Sequence, residues 1–173
     1  MNNAAFKYIF FLATALMLAA GQNLFAQTEA GSKRIAVYTG PEFNMNSREN
    51  FAGRVSLGLD FSLPSHPMAI GVEAAGSYNF SNAVVIEAEA FFRWYFPGKR
   101  HTGFFAQAEA GLYYIMENMN GFRDKFPMFL GGLRAGYRLP LGQSFFIEPY
   151  VRGGYPFVFG IGVLAGIRFW DNK

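Results

Sequence analysis

Along most of the chain apolar and polar side chains alternate one for one, and short polar stretches bearing glycine or proline interrupt the alternation. The cleanest run is Val84 to Phe96. Val84, Ile86, Ala88, Ala90, Phe92, Trp94 and Phe96 fall on one parity, and Glu87, Glu89 and Arg93 on the other. Period-two patterning of this kind marks a strand whose two faces meet unlike surroundings. It recurs over 33–39, 51–63, 69–80, 103–116, 129–139, 145–152 and 157–170.

The joining stretches carry turn chemistry. Residues 64–67 (PSHP), 97–102 (PGKRHT) and 140–143 (PLGQ) are tight turns, whereas 40–50 and 116–127 are longer polar loops. Eight strands joined this way predict an all-β fold, an antiparallel up-and-down barrel over 34–170. Pro149 lies inside the seventh strand and cannot donate to a ladder, so a bulge is expected there.

Whether the apolar parity faces in or out is decided by what each parity contains. The polar parity carries Arg54, Asp60, Glu73, Glu87, Glu89, Arg93, Glu109, Arg134, Arg138, Glu148, Arg152 and Arg168. Arginine supplies all of its cations, and they equal the acids in number, which suits bidentate pairing in an enclosed space. The apolar parity places rings toward strand ends: Phe61, Tyr78, Phe80, Trp94, Phe96, Phe104, Tyr114, Phe129, Tyr137, Phe145, Phe157 and Phe169. Between them lie Val, Leu, Ile and Ala. Two aromatic girdles around an aliphatic band are the outer wall of a membrane-spanning barrel. An eight-stranded barrel has an interior just wide enough for side chains, and so many rings would overfill it. The polar parity therefore forms the expected barrel-interior network.

Composition adds compartment. Lys7 precedes an apolar run from Tyr8 to Ala20 that is too short to span a bilayer as a helix and ends in a polar stretch closing on Ala26. This is the pattern of a signal peptide over 1–26, followed by a flexible lead-in over 27–33. With no cysteine there is neither a disulfide framework nor an acylated anchor. Charged residues make up 16% of the chain and aromatics 18%; soluble domains carry about a quarter charged residues. The near balance of 15 basic and 12 acidic residues predicts no nucleic-acid partner.

Candidate chemistry is sparse. His66 and His101 are the two histidines, and both fall in turns beside proline, glycine or basic residues, where a solvated surface role is expected. The run 131–136 (GGLRAG) is strand glycine in a narrow barrel and not a phosphate loop. No catalytic, cofactor or metal site is expected.

With its signal peptide, alternation, proline-bearing turns and closing strand, the chain resembles the small eight-stranded outer-membrane barrels, the class of the OmpA transmembrane domain and OmpX. In the last strand Gly162, Ala165, Ile167 and Phe169 resemble the C-terminal signal read by the barrel-assembly machinery, although Asp171, Asn172 and Lys173 follow the terminal aromatics. The resemblance implies an outer-membrane location, contact with outer-membrane lipid, and periplasmic termini with the longer loops outside. It implies a non-enzymatic envelope-structural or surface-interaction role, with loops 40–50 and 116–127 as the surface for an extracellular partner. Members of the class that modify lipid need a histidine with a serine or carboxylate partner at the outer rim, which neither His66 nor His101 supplies. A narrow porin-like channel, a lipid-modifying enzyme and a soluble lipocalin-like binder are the alternatives of other classes.

Overall fold

A computed structural model describes residues 33–46, 51–63, 66–79, 83–96, 101–117 and 127–170. The signal peptide and all but the last residue of the lead-in lie outside these residues. Eight strands follow one another: β1 (Lys33–Asn46), β2 (Phe51–Ser62), β3 (Met68–Asn79), β4 (Ala83–Phe96), β5 (Gly103–Glu117), β6 (Met128–Leu141), β7 (Phe145–Tyr155) and β8 (Phe157–Trp170). Each pairs antiparallel with the next, and β1 pairs with β8, so the sheet closes into a barrel with no free edge.

The alternation places side chains as its parity requires. In β2, Arg54, Ser56, Gly58 and Asp60 turn inward and are buried, while Leu57, Leu59 and Phe61 stand exposed on the outer wall. Closure leaves one inside and one outside, so every strand repeats this division.

Inward glycines and rings interlock. Tyr38 lies opposite Gly58, Phe91 opposite Gly71, Phe105 opposite Gly136, Phe146 opposite Gly166 and Tyr150 opposite Gly162. At each of these glycines a Cβ would collide with the facing ring. The barrel thus admits inward aromatics by removing the side chain across the ladder, which also covers the glycine backbone. These rings were not legible as an interior set from the girdle pattern, which directed attention to the outer parity.

Four sequence expectations are corrected. First, β1 runs through Gly40 and Pro41 to Asn46, so residues 40–46 are strand and not loop. Parity survives the Gly-Pro pair because Gly40 sits where a Cβ would meet the Val163 carbonyl, and the β1–β8 ladder passes over Gly40 and Pro41 without losing register. The loop at 116–127 likewise begins later, since β5 extends to Glu117.

Second, Phe157 is 5% exposed and faces the interior, not the girdle. The β1–β8 register shifts between Met45 and Asn46, leaving Val158 as an extra residue between the rungs of Phe159 and Phe157. Val158 and Phe159 both point out and Phe157 turns in, as a bulge dictates.

Third, no bulge forms at Pro149. It pairs with Val163 in an unbroken register, and the β6–β7 ladder keeps its register across the missing rungs at Tyr137 and Arg138. Fourth, Pro140 and Leu141 complete β6, so the turn to β7 is Gly142–Ser144, and β7 runs to Tyr155, leaving Pro156 alone before β8.

Of the remaining girdle residues, Phe61, Tyr78, Trp94, Phe96, Phe104, Tyr114, Phe129 and Phe145 are exposed on the outer wall, and Tyr137 and Phe169 are half-buried. Phe80 lies outside the described residues.

Candidate functional site: the charged interior

Because β2, β6 and β7 direct Arg54, Arg134, Arg138 and Arg152 inward, and β3, β4 and β5 direct Glu73, Glu87, Glu89 and Glu109, closure brings cations and acids of different strands together inside the barrel, where Arg93 of β4 also meets Asp60 of β2 and Glu148 of β7. Eleven of the twelve predicted interior residues are at most 5% exposed. The twelfth, Arg168, is half-buried on the inward face near the short turns, its backbone N–H donating to the Ser144 carbonyl oxygen at 2.8 Å.

The charges divide into two groups. Toward the short turns, Arg93 Nη1 contacts Glu148 at 2.9 and 3.1 Å and lies 3.6 Å from Asp60 Oδ2. Arg138 binds Asp60 Oδ2 at 2.5 Å and donates through Nε to Glu148. Arg93 Nε donates to Gln107 Oε1 at 2.8 Å, and Gln107 Nε2 donates to Glu109 at 3.1 Å, which ties this group to the next.

In the central group Arg54 reaches Glu73 at 2.9 Å, Glu87 at 3.0 Å, and Glu42 and Glu89 at 3.3 Å. Arg134 holds Glu73 through two parallel bonds of 3.0 Å. Arg152 donates to Glu89 at 2.8 Å and, through Nε, to Glu109. Glu42 also accepts from Tyr150 Oη at 2.7 Å. It belongs to the site but was hidden by reading Gly40-Pro41 as the start of a loop. The signal was present: Ala36, Tyr38, Gly40, Glu42 and Asn44 keep one parity.

Aromatic faces complete the guanidinium environments. Arg93 lies 4.2 Å from the Phe105 ring centre, Arg138 4.1 Å from Phe146 and Arg134 4.5 Å from Tyr150. Each of these three rings also covers a cross-strand glycine, so backbone, ring and cation are packed in succession. Buried apolar side chains pack among the charges of the first group and against those nearer the long loops. Tyr38, Phe91, Tyr95, Phe105 and Phe146 cluster toward the short turns, and Tyr113, Leu130 and Phe157 toward the long loops.

The histidines stay outside this network. His66 is exposed. His101 is not the solvated surface residue expected of a turn: its left-handed backbone, φ 49°, folds the imidazole back to meet the Tyr95 ring edge-on, with centres 5.6 Å apart. Its Nε2 lies 3.2 Å from the Met68 carbonyl oxygen, which can only accept, so Nε2–H donates. Burial outweighs the hydrogen bonds to the His66 and Met68 carbonyls and holds the imidazole below its ordinary range. Among the described residues no group of three or more His, Cys, Asp or Glu is arranged to hold a metal ion.

A closed meander of eight strands, greasy outside and packed with paired charges inside, is the architecture of the small outer-membrane barrels typified by the OmpA transmembrane domain. No family model matches the chain, and no curated protein matches it. Solved structures do. The N-terminal β-barrel domain of Pseudomonas aeruginosa OprF is 14% identical with a TM-score of 0.56, over 81% of this chain and 100% of that one. Neisserial surface protein A, NspA, is 12% identical with a TM-score of 0.56, over 83% and 100%. At such identities the likeness is one of fold.

Proposed function

We propose that the protein is exported by its N-terminal segment and stands in the outer membrane as a closed, non-enzymatic barrel, an envelope-structural element that presents its longer loops to the outside. One observation carries this reading. Large apolar side chains are exposed on all eight strands, among them Leu57, Val72, Ile86, Leu112, Leu133, Val151 and Ile161, while the buried residues include six acids and five arginines of the polar parity. A soluble barrel would show the reverse. Exposure of this extent on a monomer marks a surface covered by another apolar phase, and a continuous ring of it suits lipid.

A structural role is favoured over conduction because the charges are satisfied mainly by one another and are packed among buried rings. Such a network pins strand register: a one-residue slip would turn each arginine into lipid. The surface for an extracellular partner would lie on the remainder of the two predicted loops, residues 47–50 and 118–126, which fall outside the described residues. Assembly would use the closing strand, with Ile167 and Phe169 on its outer parity, as the segment read by the barrel-assembly machinery.

Cell fractionation followed by electrophoresis with and without boiling tests the reading. Detergent-dependent recovery with the outer membrane and a heat-modifiable band are expected; recovery as a soluble periplasmic protein would reverse it. Discrete conductance steps in planar bilayers would replace the closed barrel by a channel, and lipid A altered in acylation on deletion of the gene would replace it by an enzyme.

A further inference from the structure

The two charged groups are unbalanced in opposite senses. In the central group Glu42, Glu73, Glu87, Glu89 and Glu109 outnumber Arg54, Arg134 and Arg152, whereas toward the short turns Arg93, Arg138 and Arg168 outnumber Asp60 and Glu148. Both of those acids are already divided between Arg93 and Arg138. Arg168 is left over. Among the described residues no carboxylate pairs with it, and the charge that acts on it most strongly is a second cation, Arg138, ahead of Asp60 and Glu148.

Its position makes the surplus available. Arg168 stands two residues before the end of β8, half-buried on the inward parity, at the short-turn end of the barrel. Its partner across the β1–β8 ladder, Ala36, offers only a methyl, and one step deeper the Phe146 ring covers Gly166. His101, at the same end, is turned to Tyr95 and the Met68 carbonyl and brings no negative charge. Three guanidinium nitrogens of this group, Arg93 Nη2, Arg138 Nη1 and Arg168 Nε, are buried without a hydrogen-bond partner, against one carboxylate oxygen in the same state, Asp60 Oδ1. Buried donors without acceptors are costly, so the group favours a ligand rich in acceptor oxygens. A surplus of one sign between low-dielectric walls also concentrates the field at the opening. The sequence adds charge of that sign where β1 begins, at Lys33 and Arg34, and in the turn from β4 to β5, at Lys99 and Arg100.

We propose that the short-turn mouth of the barrel binds an oxyanion of the phosphate class, received by the Arg168 guanidinium with Arg138 behind it. The planar fork of a guanidinium matches two oxygens of a phosphate group and holds them through parallel N–H bonds. Two sources offer this chemistry: free phosphate, and the headgroup of a phospholipid at the membrane face. The inference goes beyond the envelope-structural role, and because the site lies within the wall it stands whether or not lipid covers the outer surface.

The full chain, refolded in micelles of an uncharged, phosphate-free detergent, is unfolded by urea in rising inorganic phosphate, with sodium chloride of equal ionic strength as the reference. At about ten times its dissociation constant, phosphate lowers the unfolding constant about elevenfold. Arg168→Gln, which breaks no ion pair among the described residues, is expected to fold and to lose this response, whereas Arg123→Gln, in the loop joining β5 to β6, keeps it. Phosphorus NMR reads binding without unfolding: the phosphate line should broaden with the wild-type barrel and stay narrow with Arg168→Gln. Vesicles of phosphatidylcholine with and without phosphatidylglycerol, in phosphate-free buffer, separate the sources. A response to inorganic phosphate alone assigns the free anion, and stabilisation by phosphatidylglycerol that Arg168→Gln abolishes assigns the headgroup. A wild-type barrel that responds to neither overturns the proposal, the result expected if Asp171 already neutralises Arg168. A phosphate response that survives in Arg168→Gln overturns it as well.

Discussion

Arg54 is the cation whose loss the barrel should feel most. It joins four strands by contacting Glu42 on β1 and Glu73, Glu87 and Glu89 on β3 and β4 from its own place on β2, all within 3.3 Å. At an effective dielectric constant of about 20, a single contact at this range amounts to about 4 kcal/mol before desolvation. Arg54→Met keeps an apolar stem of similar length but leaves five buried carboxylates to Arg134 and Arg152. Because the carboxylates stay buried while their compensation goes, the expected loss is about 3–5 kcal/mol of folding stability. Urea unfolding of the refolded barrel, followed by the electrophoretic mobility shift, measures it. Adding Glu87→Gln to Arg54→Met should return about 1–2 kcal/mol, since it withdraws one of the charges left unpaired. A loss below about 1 kcal/mol, the range of solvated surface pairs, would refute the reasoning, because it would mean that water reaches these charges.

Gly71→Ala should cost about 1–3 kcal/mol by driving a Cβ into the Phe91 ring, while Gly76→Ala, whose Cβ meets nothing within 4 Å, should be neutral or slightly stabilising; equal effects in urea unfolding would contradict the interlocked interior. Phe157→Ala should cost about 3–5 kcal/mol, because the bulge at Val158 buries that ring against Arg152; solvent-like tolerance of the substitution would return Phe157 to the outer wall. Leu133→Arg, at a side chain 69% exposed on the outer wall, should cost about 2–4 kcal/mol in lipid vesicles and prevent efficient insertion; indifference would point to a water-facing wall. His101 favours its neutral form in the folded state. Its contribution to stability is present above the unfolded value of about 6.5 and is lost as pH falls through the lowered folded value; an imidazole resonance titrating above the ordinary range would contradict its burial.

Strand count, order and parity were legible in the residues because a strand's side chains must alternate and a sheet facing two unlike phases must sort them. The same local rule identified eleven buried members of the interior network before any partner was known. What it could not supply is pairing. That Arg54 meets Glu42, Glu73, Glu87 and Glu89, and that Glu73 faces Glu89, depends on the stagger of four strands around a closed circumference, which no single strand encodes. Local breakers misled for a related reason. Gly40-Pro41 and Pro149 read as interruptions, yet neighbouring strands hold both in register, and Phe157 changed face because a bulge formed one residue after it. Alternation, a property of each strand's backbone, thus settled which residues go in and which go out. Closure of the barrel, a property of all eight strands together, decided which charges meet, which rings cover glycine, and where the acids outnumber the arginines.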